Sequence, residues 1–133
     1  MKEVSRDWLK AATDDLETIA KIIDHEHLTN IVAFHAQQAV EKSLKAVIEE
    51  YGLEITKIHS LARLVEITRP YLSMALDDTL VETLDRLYID ARYPGELGLL
   101  PSGKPSRNDA KRFSDFANRI YDTVYQFLEK KKT

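Results

Sequence analysis

The 133-residue sequence contains no cysteine, only four glycines and four prolines, and no long hydrophobic run. Without cysteine the chain can form neither a disulfide framework nor a thiolate zinc site, and it has no cysteine nucleophile. No stretch approaches the roughly 18 apolar residues that a membrane-spanning helix needs. Residues 1–7 are polar and lack the apolar centre of a signal peptide. These absences predict a soluble, cytoplasmic protein that does not enter a membrane.

The composition is typical of one globular domain. Hydrophobic residues make up 44% of the chain and charged residues 31%, which indicates that it buries a core. The length fits a single domain over residues 1–133. The net charge of −3 excludes an overall positive field that would attract nucleic acid or an acidic membrane, although local basic patches remain compatible with it.

Apolar residues recur at helical spacing along nearly the whole chain. The predicted helices span residues 5–24, 29–51, 59–68, 77–91 and 106 onward. In the first helix we expect Ser5 to be the N-cap. The second should end at Gly52, because glycine readily adopts the backbone conformation that closes a helix. Ser106 with Asp109 three residues on is typical of a capping box at the start of the last helix.

Each predicted helix carries one apolar stripe. The stripe of the first helix consists of Trp8, Ala12, Leu16, Ile19 and Ile23. That of the second consists of Val32, Ala36, Val40, Leu44 and Val47. Residues 92–105 hold three of the four prolines and three of the four glycines, so we expect an irregular connection there. The pattern predicts an all-α fold, an antiparallel four-helix up-and-down bundle with an additional short helix.

A polar stripe also follows the second predicted helix. Its members, three or four residues apart, are His35, Gln38, Lys42, Lys45 and Glu49. They lie about opposite the Val40 and Leu44 side of the helix. One interpretation is an ordinary solvated face. The other is a buried polar site or an interface covered by another helix or subunit, because the apolar residues Ile31 and Phe34 border the stripe.

The two lysines of this stripe suggest a ligand. Lys42 and Lys45 lie one turn apart beside Gln38, so their ammonium groups could hold a phosphate while the amide reads a base or ribose. The same lysines could instead pair with Glu41 and Glu49 on their own helix. The sequence leaves both interpretations open.

A second candidate site lies at the end of the fourth helix. Arg86 and Arg92 are six residues apart, and each could neutralise a phosphate or pair with Asp85 or Asp90. Tyr93 follows directly, ahead of a proline and a glycine that favour a turn. The alternative is an ordinary helix end with surface ion pairs.

Patterns for metal and cofactor sites are missing. His25 and His27 have no further ligand in view, and the Glu-x-x-His repeat of di-metal bundles does not occur. The glycine-rich phosphate loop is also absent, since Ser102-Gly103-Lys104 is not preceded by a strand. We therefore expect no metal and no cofactor, and name no catalytic residue.

Several segments together resemble one known family. Residues 34–46, Phe-His-Ala-Gln-Gln-Ala-Val-Glu-Lys-Ser-Leu-Lys-Ala, resemble the second-helix signature of HEPN domains. His59-Ser60-Leu61 resembles their His-Asp-Leu segment, with Ser60 in place of the acid. Residues 91–95 resemble their Ala-Arg-Tyr-Pro segment, and Trp8-Leu9 with Asp14-Asp15-Leu16 resembles their first helix. The resemblance covers nearly the whole chain in order.

The resemblance implies a helical bundle that is often a homodimer. HEPN proteins are commonly encoded beside small nucleotidyltransferases, in two-component systems of the toxin–antitoxin kind, and some members are proposed to bind nucleotides. Others are metal-independent RNases that carry an arginine followed, after four to six residues, by a histidine. From Arg86 those positions hold Ala91, Arg92 and Tyr93, and no other arginine of the chain has a histidine at this spacing. The imidazole that would serve as general base is missing from these positions, which argues against RNase activity by the family mechanism.

The sequence thus predicts a nucleotide-binding or partner-binding HEPN protein, one half of a two-component system with a nucleotidyltransferase. The expected ligand-binding residues are His35, Gln38, Lys42, Lys45, His59, Arg86, Arg92 and Tyr93. Tyr93 is also a candidate acceptor of a nucleotidyl group. One alternative is an RNase toxin that uses a non-standard base, such as His59 with Arg86 or Arg92. Another is a structural dimer or adaptor whose interface is the polar stripe.

Overall fold

The computed structural model describes residues 1–54, 60–92 and 104–130, and for residues 89–92 it describes the backbone only. Its elements are α1 (Glu3–Ile22), a 3-10 turn (Glu26–Leu28), α2 (Thr29–Glu50), α3 (Leu61–Thr68), α4 (Asp78–Arg92) and α5 (Arg107–Lys130). No strand occurs in these ranges, and the predicted all-α bundle with one short extra helix is confirmed. None of the helices in the described part is long and apolar enough to cross a membrane.

Helix α2 is the centre of the bundle. It packs against α1, α3, α4 and α5, and 14 of its 22 residues are buried. Every member of its predicted apolar stripe is buried. The small residues Ala36, Ala39 and Ala46 are completely inaccessible, which lets neighbouring helices approach its backbone closely.

The start of α1 differs from the prediction. The helix begins at Glu3, so Ser5 lies inside it and is buried, and the prediction of Ser5 as N-cap is wrong. The reason is a contact distant in sequence. The backbone N–H of Lys2 donates to Oε1 of Glu50 at 2.8 Å, which anchors the start of α1 to the end of α2.

The buried face of α1 is also rotated from the predicted stripe. Ala12 and Ile19 are buried as expected, whereas the other three stripe residues, Trp8, Leu16 and Ile23, are only partly buried. Leu9 and Asp15 take the central positions instead. Helix α1 therefore presents a carboxylate to α2 from the middle of an otherwise apolar face.

Gly52 closes α2 as predicted. Its φ of 61° lies in the left-handed region that favours glycine. The N–H of Gly52 donates to the carbonyl of Glu49 at 3.2 Å, and that of Leu53 donates to the carbonyl of Ile48 at 2.9 Å. These are the two hydrogen bonds of a Schellman motif, which satisfies carbonyls that the helix leaves without a partner.

The capping box at the start of α5 is confirmed as well. The N–H of Asp109 donates to Oγ of Ser106 at 3.0 Å, and the N–H of Ser106 donates to Oδ2 of Asp109 at 3.2 Å. The reciprocal pair satisfies two backbone donors and fixes where the helix begins.

Helix α3 is capped from another helix. Ser60 is its N-cap, and the carboxylate of Asp85 in α4 accepts hydrogen bonds from the backbone N–H of Leu61 at 2.8 Å and of Ala62 at 3.2 Å. The hydroxyl of Ser60 also donates to Asp85 at 3.3 Å. A carboxylate at a helix N-terminus is favourable because it meets both the donors and the positive end of the dipole. Asp85 thereby fixes α3 against α4.

Replacing Asp85 with alanine should lower the free energy of unfolding by about 1–2 kcal/mol, the usual cost of losing an N-terminal cap. Chemical denaturation measures the loss. Glu82→Ala is the matched control, because Glu82 lies on the exposed side of the same helix. Equal stability of the two variants would show that the carboxylate of Asp85 does not cap α3.

Candidate functional site

The polar stripe of α2 faces α1. Nζ of Lys42 donates to Oδ2 of Asp15 at 2.8 Å, and Nδ1 of His35 lies 2.8 Å from Oδ1 of the same carboxylate. The side chain of Asp15 is 8% exposed, and those of His35 and Lys42 are each 24% exposed. The interpretation of the stripe as a solvated face is therefore wrong, and its covering by another helix is confirmed.

A second polar group continues the stripe toward the end of α2. Nζ of Lys45 donates to Oε2 of Glu41 at 3.0 Å, and Nε2 of Gln37 donates to Oε1 of Glu41 at 3.2 Å. Nε2 of Gln38 donates to Oε1 of Gln37 at 2.7 Å. The ammonium of Lys45 also lies 5.2 Å from the centre of the Trp8 ring, within cation–π range. Gln37 and Glu41 are buried, so these contacts replace the water they lose.

Of the two lysine pairings that the sequence left open, one occurs. Lys45 pairs with Glu41, one turn before it, whereas Lys42 pairs with Asp15 of α1 and not with Glu49. A carboxylate that leaves water is costly unless it is paired and hydrogen-bonded, and both carboxylates meet this condition. The Lys42–Asp15 pair therefore joins α1 to α2 at low cost in desolvation, whereas the Lys45–Glu41 pair lies within α2.

The Asp15 contacts also determine what the cluster can offer a ligand. Because a carboxylate only accepts hydrogen bonds, Nδ1 of His35 must be the donor, and Nε2 carries the lone pair when the ring is neutral. The ammonium of Lys42 has three N–H groups, of which one binds Asp15. The half-exposed edges of His35 and Lys42 thus retain hydrogen-bonding capacity, but a bound anion would share these groups with Asp15.

Arg86 lies on the outer side of α4. It is exposed, and its guanidinium forms no ion pair with the residues that the structure describes. Tyr88 stacks on Phe34 of α2 with ring centres 5.8 Å apart, and Arg86 lies about 200° around the helix from it, since each residue turns the helix by about 100°. The alternative in which Arg86 pairs with Asp85 does not occur, because Asp85 caps α3.

The remaining predicted ligand-binding residues lie outside the described part: His59, Tyr93 and the side chain of Arg92. The structure therefore brings together His35, Gln38, Lys42 and Lys45, and places Arg86 on another helix. His25 and His27 touch each other edge to face, 5.9 Å between ring centres. Among the side chains that the structure describes, those of residues 1–54, 60–88 and 104–130, no group of three or more metal-ligating residues could hold an ion.

Asp15, which contacts both His35 and Lys42 of the polar stripe, is a residue of this site that the sequence analysis did not identify. It lies three residues after Ala12 and four before Ile19, so it shares their face of α1. A charged residue at such spacing predicts a buried partner of opposite charge, and the lysines of α2 were candidates. The spacing of Asp15 could have indicated a buried carboxylate, but only the packing of α1 on α2 shows that its partner is Lys42.

Comparison with known proteins finds similarity to HEPN domains, both in the sequence and in solved structures. The family model described as HEPN domain matches residues 5–131. The crystal structure of TT1696 from Thermus thermophilus is 25% identical, with a TM-score of 0.68, over 95% of this chain and 99% of that one. The archaeal HEPN homologue ST0689 is 28% identical, with a TM-score of 0.68, over 96% and 99% of the two chains.

A third solved structure, a HEPN domain protein from Thermotoga maritima, is 26% identical, with a TM-score of 0.64, over 92% of this chain and 98% of that one. Among proteins with curated descriptions, none matches the sequence. The three solved relatives have nearly the same length as this chain, and the resemblance found in the sequence is confirmed.

The Asp15 contacts predict a clear effect on stability. Asp15→Ala should lower the free energy of unfolding by about 2–3 kcal/mol, because it leaves Lys42 half-buried without its carboxylate. Asp14→Ala, at the exposed neighbouring position, should change it by less than about 0.5 kcal/mol. Denaturant unfolding of both variants measures the difference. A loss for Asp15→Ala no larger than for Asp14→Ala would contradict the structural role of the pair.

Proposed function

Since the chain belongs to the HEPN domain family, we propose that it acts by binding: it recognises a nucleotide through its phosphate, as one half of a two-component system with a small nucleotidyltransferase. The observation that carries the proposal is the side of α4 around Arg86. There an exposed guanidinium forms no ion pair with the described residues, and Ala91 stands where the RNases of the family keep a histidine. A guanidinium can bind a phosphate but does not itself serve as the base that takes a proton from a ribose hydroxyl.

Two side chains of α2 are held in place by neighbouring groups, which supports ligand binding. His35 is fixed by Asp15, and Gln38 by Gln37. Such fixed side chains lose little freedom when they bind a ligand, which favours recognition. We assign His35, Gln38 and His59 to hydrogen bonds with base or ribose. We assign the phosphate to Arg86 and Arg92, with further hydrogen bonds from the remaining N–H groups of Lys42 and Lys45.

A protein partner belongs to the same proposal. Ile31 is 38% exposed and lies on α2 beside the polar stripe, next to the partly buried Phe34. An apolar edge beside half-exposed polar groups is a common composition for an interface. We propose that this side of α2 contributes to a homodimer, and that the nucleotidyltransferase approaches the end of α4.

Titration calorimetry against a panel of nucleotides, in the presence of Mg²⁺, tests the ligand. We expect binding that Arg86→Ala weakens about tenfold, as the loss of one charge-assisted hydrogen bond would. Arg6→Ala, an exposed arginine on α1, should leave the affinity unchanged. Absence of heat with every nucleotide would contradict nucleotide binding, and equal affinity of the two variants would contradict the role of Arg86.

Co-expression with a small nucleotidyltransferase encoded beside this chain tests the partner. We expect the phenol oxygen of Tyr93 to attack the α-phosphate of a nucleoside triphosphate, with release of pyrophosphate and of the phenol proton. Mass spectrometry should show a nucleotidyl adduct on the peptide that contains Tyr93, and Tyr93→Phe should abolish it. An unmodified Tyr93 peptide in the presence of the active enzyme would exclude this reaction.

A further inference from the structure

The histidines in the described part of the chain lie in different surroundings. His25 and His27 are exposed, close to the start of α2, and their rings touch each other edge to face. The side chain of His35 is only 24% exposed, and its ring contacts the buried carboxylate of Asp15. His35 is thus the least accessible of these three imidazoles and the one with a carboxylate partner.

Contacts from three helices hold the ring of His35 in one orientation. Its Nδ1 donates to Oδ1 of Asp15 at 2.8 Å, and the other oxygen of that carboxylate accepts from Nζ of Lys42 at 2.8 Å. The ring packs edge to face with Phe34 at 5.3 Å between centres, and Phe34 in turn stacks on Tyr88. Helices α1, α2 and α4 therefore all contribute to the position of this imidazole.

The second ring nitrogen, Nε2, is the accessible one. It has no hydrogen-bond partner among the described residues, yet it is not one of their buried unpaired polar atoms, so it reaches solvent. Because Nδ1 carries the proton, Nε2 holds the lone pair when the ring is neutral. A carboxylate bound to Nδ1–H makes Nε2 a better nucleophile, since it stabilises the positive charge that develops on the ring. Asp15 is therefore the positioning residue of a nucleophile.

A structural role alone would not require an imidazole at position 35. An amide side chain could donate the same hydrogen bond to Asp15, and Lys42 already supplies that carboxylate with a partner of opposite charge. Only the imidazole adds a nucleophilic nitrogen on its solvent side. The half-buried position also keeps much of the water away from the ring, which strengthens its contact with the carboxylate.

We propose that His35 is a phosphoryl acceptor that a small phosphoramidate donor modifies at Nε2. The lone pair of Nε2 attacks phosphorus and an N–P bond forms, while the P–N bond of the donor breaks and ammonia leaves with that electron pair. The ring keeps its Nδ1 proton and becomes positively charged, and the carboxylate of Asp15 offsets this charge. Because the two nitrogens point to different sides of the ring, the phosphoryl group forms away from Asp15.

Phosphorylation would change what the polar stripe can bind. Nε2 would lose its lone pair, and the surface beside Lys42 would gain negative charge. His35 is also assigned above to a hydrogen bond with base or ribose, so the modified chain should not bind the nucleotide. This consequence rests on the proposed function, whereas the acceptor role rests only on contacts within the chain.

Incubation of the full ¹⁵N-labelled chain with phosphoramidate tests the proposal. The coupling between ¹⁵N and ³¹P shows which ring nitrogen of which histidine carries phosphorus. His25 and His27 are internal controls, because both are more exposed than His35. We expect Nε2 of His35 to react about tenfold faster than either, the effect of one charge-assisted hydrogen bond. Faster reaction of His25 and His27, modification of His35 at Nδ1, or no reaction of His35 would each overturn the proposal.

The same reaction in denaturant separates the folded contact from the local sequence. Unfolding removes the contact with Asp15, so His35 should then react at the same rate as His25 and His27. A rate advantage of His35 that persists in the unfolded chain would contradict activation by the folded site.

Asp15→Asn tests the charge of the positioning residue. The asparagine keeps an oxygen that can accept from Nδ1 but loses the carboxylate charge, so His35 should react about tenfold more slowly. His25 and His27 should keep their rates in the same sample. Asp14→Asn, the same change at the exposed neighbouring position, should leave all three rates unchanged. Equal rates of His35 in the two variants would contradict the role of Asp15.

Discussion

The rest of the structure depends on how α2 satisfies its polar side chains while it is enclosed by four other helices. A helix in this position could be apolar on every side, yet α2 carries buried Gln37 and Glu41 together with half-buried Lys42 and Lys45. These groups must find partners inside the bundle, because burial removes their water. The carboxylate of Asp15 on α1 and that of Glu41 on α2 supply them. Since the contacts of Asp15 with His35 and Lys42 form only when the two helices are correctly aligned, they also fix the position of α1 along α2.

This arrangement explains why the family resemblance and the fold agree so well. The residues of α2 that carry the resemblance, from Phe34 to Ala46, are the ones that form the buried network. Two of these residues, His35 and Lys42, hold α1 against α2 through Asp15, and the other contacts lie within α2. Activity within the family has to be inferred elsewhere, where side chains reach solvent. In this chain we propose α4 for that role, where Arg86 is exposed and Ala91 stands at the position of the histidine in the RNase pattern.

Local rules were enough to predict most helix ends and the core stripe of α2, but not the buried face of α1. Contacts distant in sequence account for two of the features that the sequence did not predict. Gly52 and Ser106 act through neighbouring residues, so their roles could be predicted from the sequence. Ser5 could not, because a bond between Lys2 and Glu50 decides where α1 begins. The capping of α3 by Asp85 likewise joins residues more than 20 positions apart. For the candidate site, spacing alone placed the polar stripe on one face, but only the structure shows which carboxylate faces Lys42.

Our central proposal is that this HEPN protein binds a nucleotide and that it does not cleave RNA. The most direct test incubates the purified chain with total cellular RNA without added metal and follows the RNA by gel electrophoresis. The account predicts intact RNA at every time point, because no histidine follows Arg86 after four to six residues in the sequence. Cleavage by the wild type that disappears in Arg86→Ala would contradict it and would establish an RNase with a non-standard base.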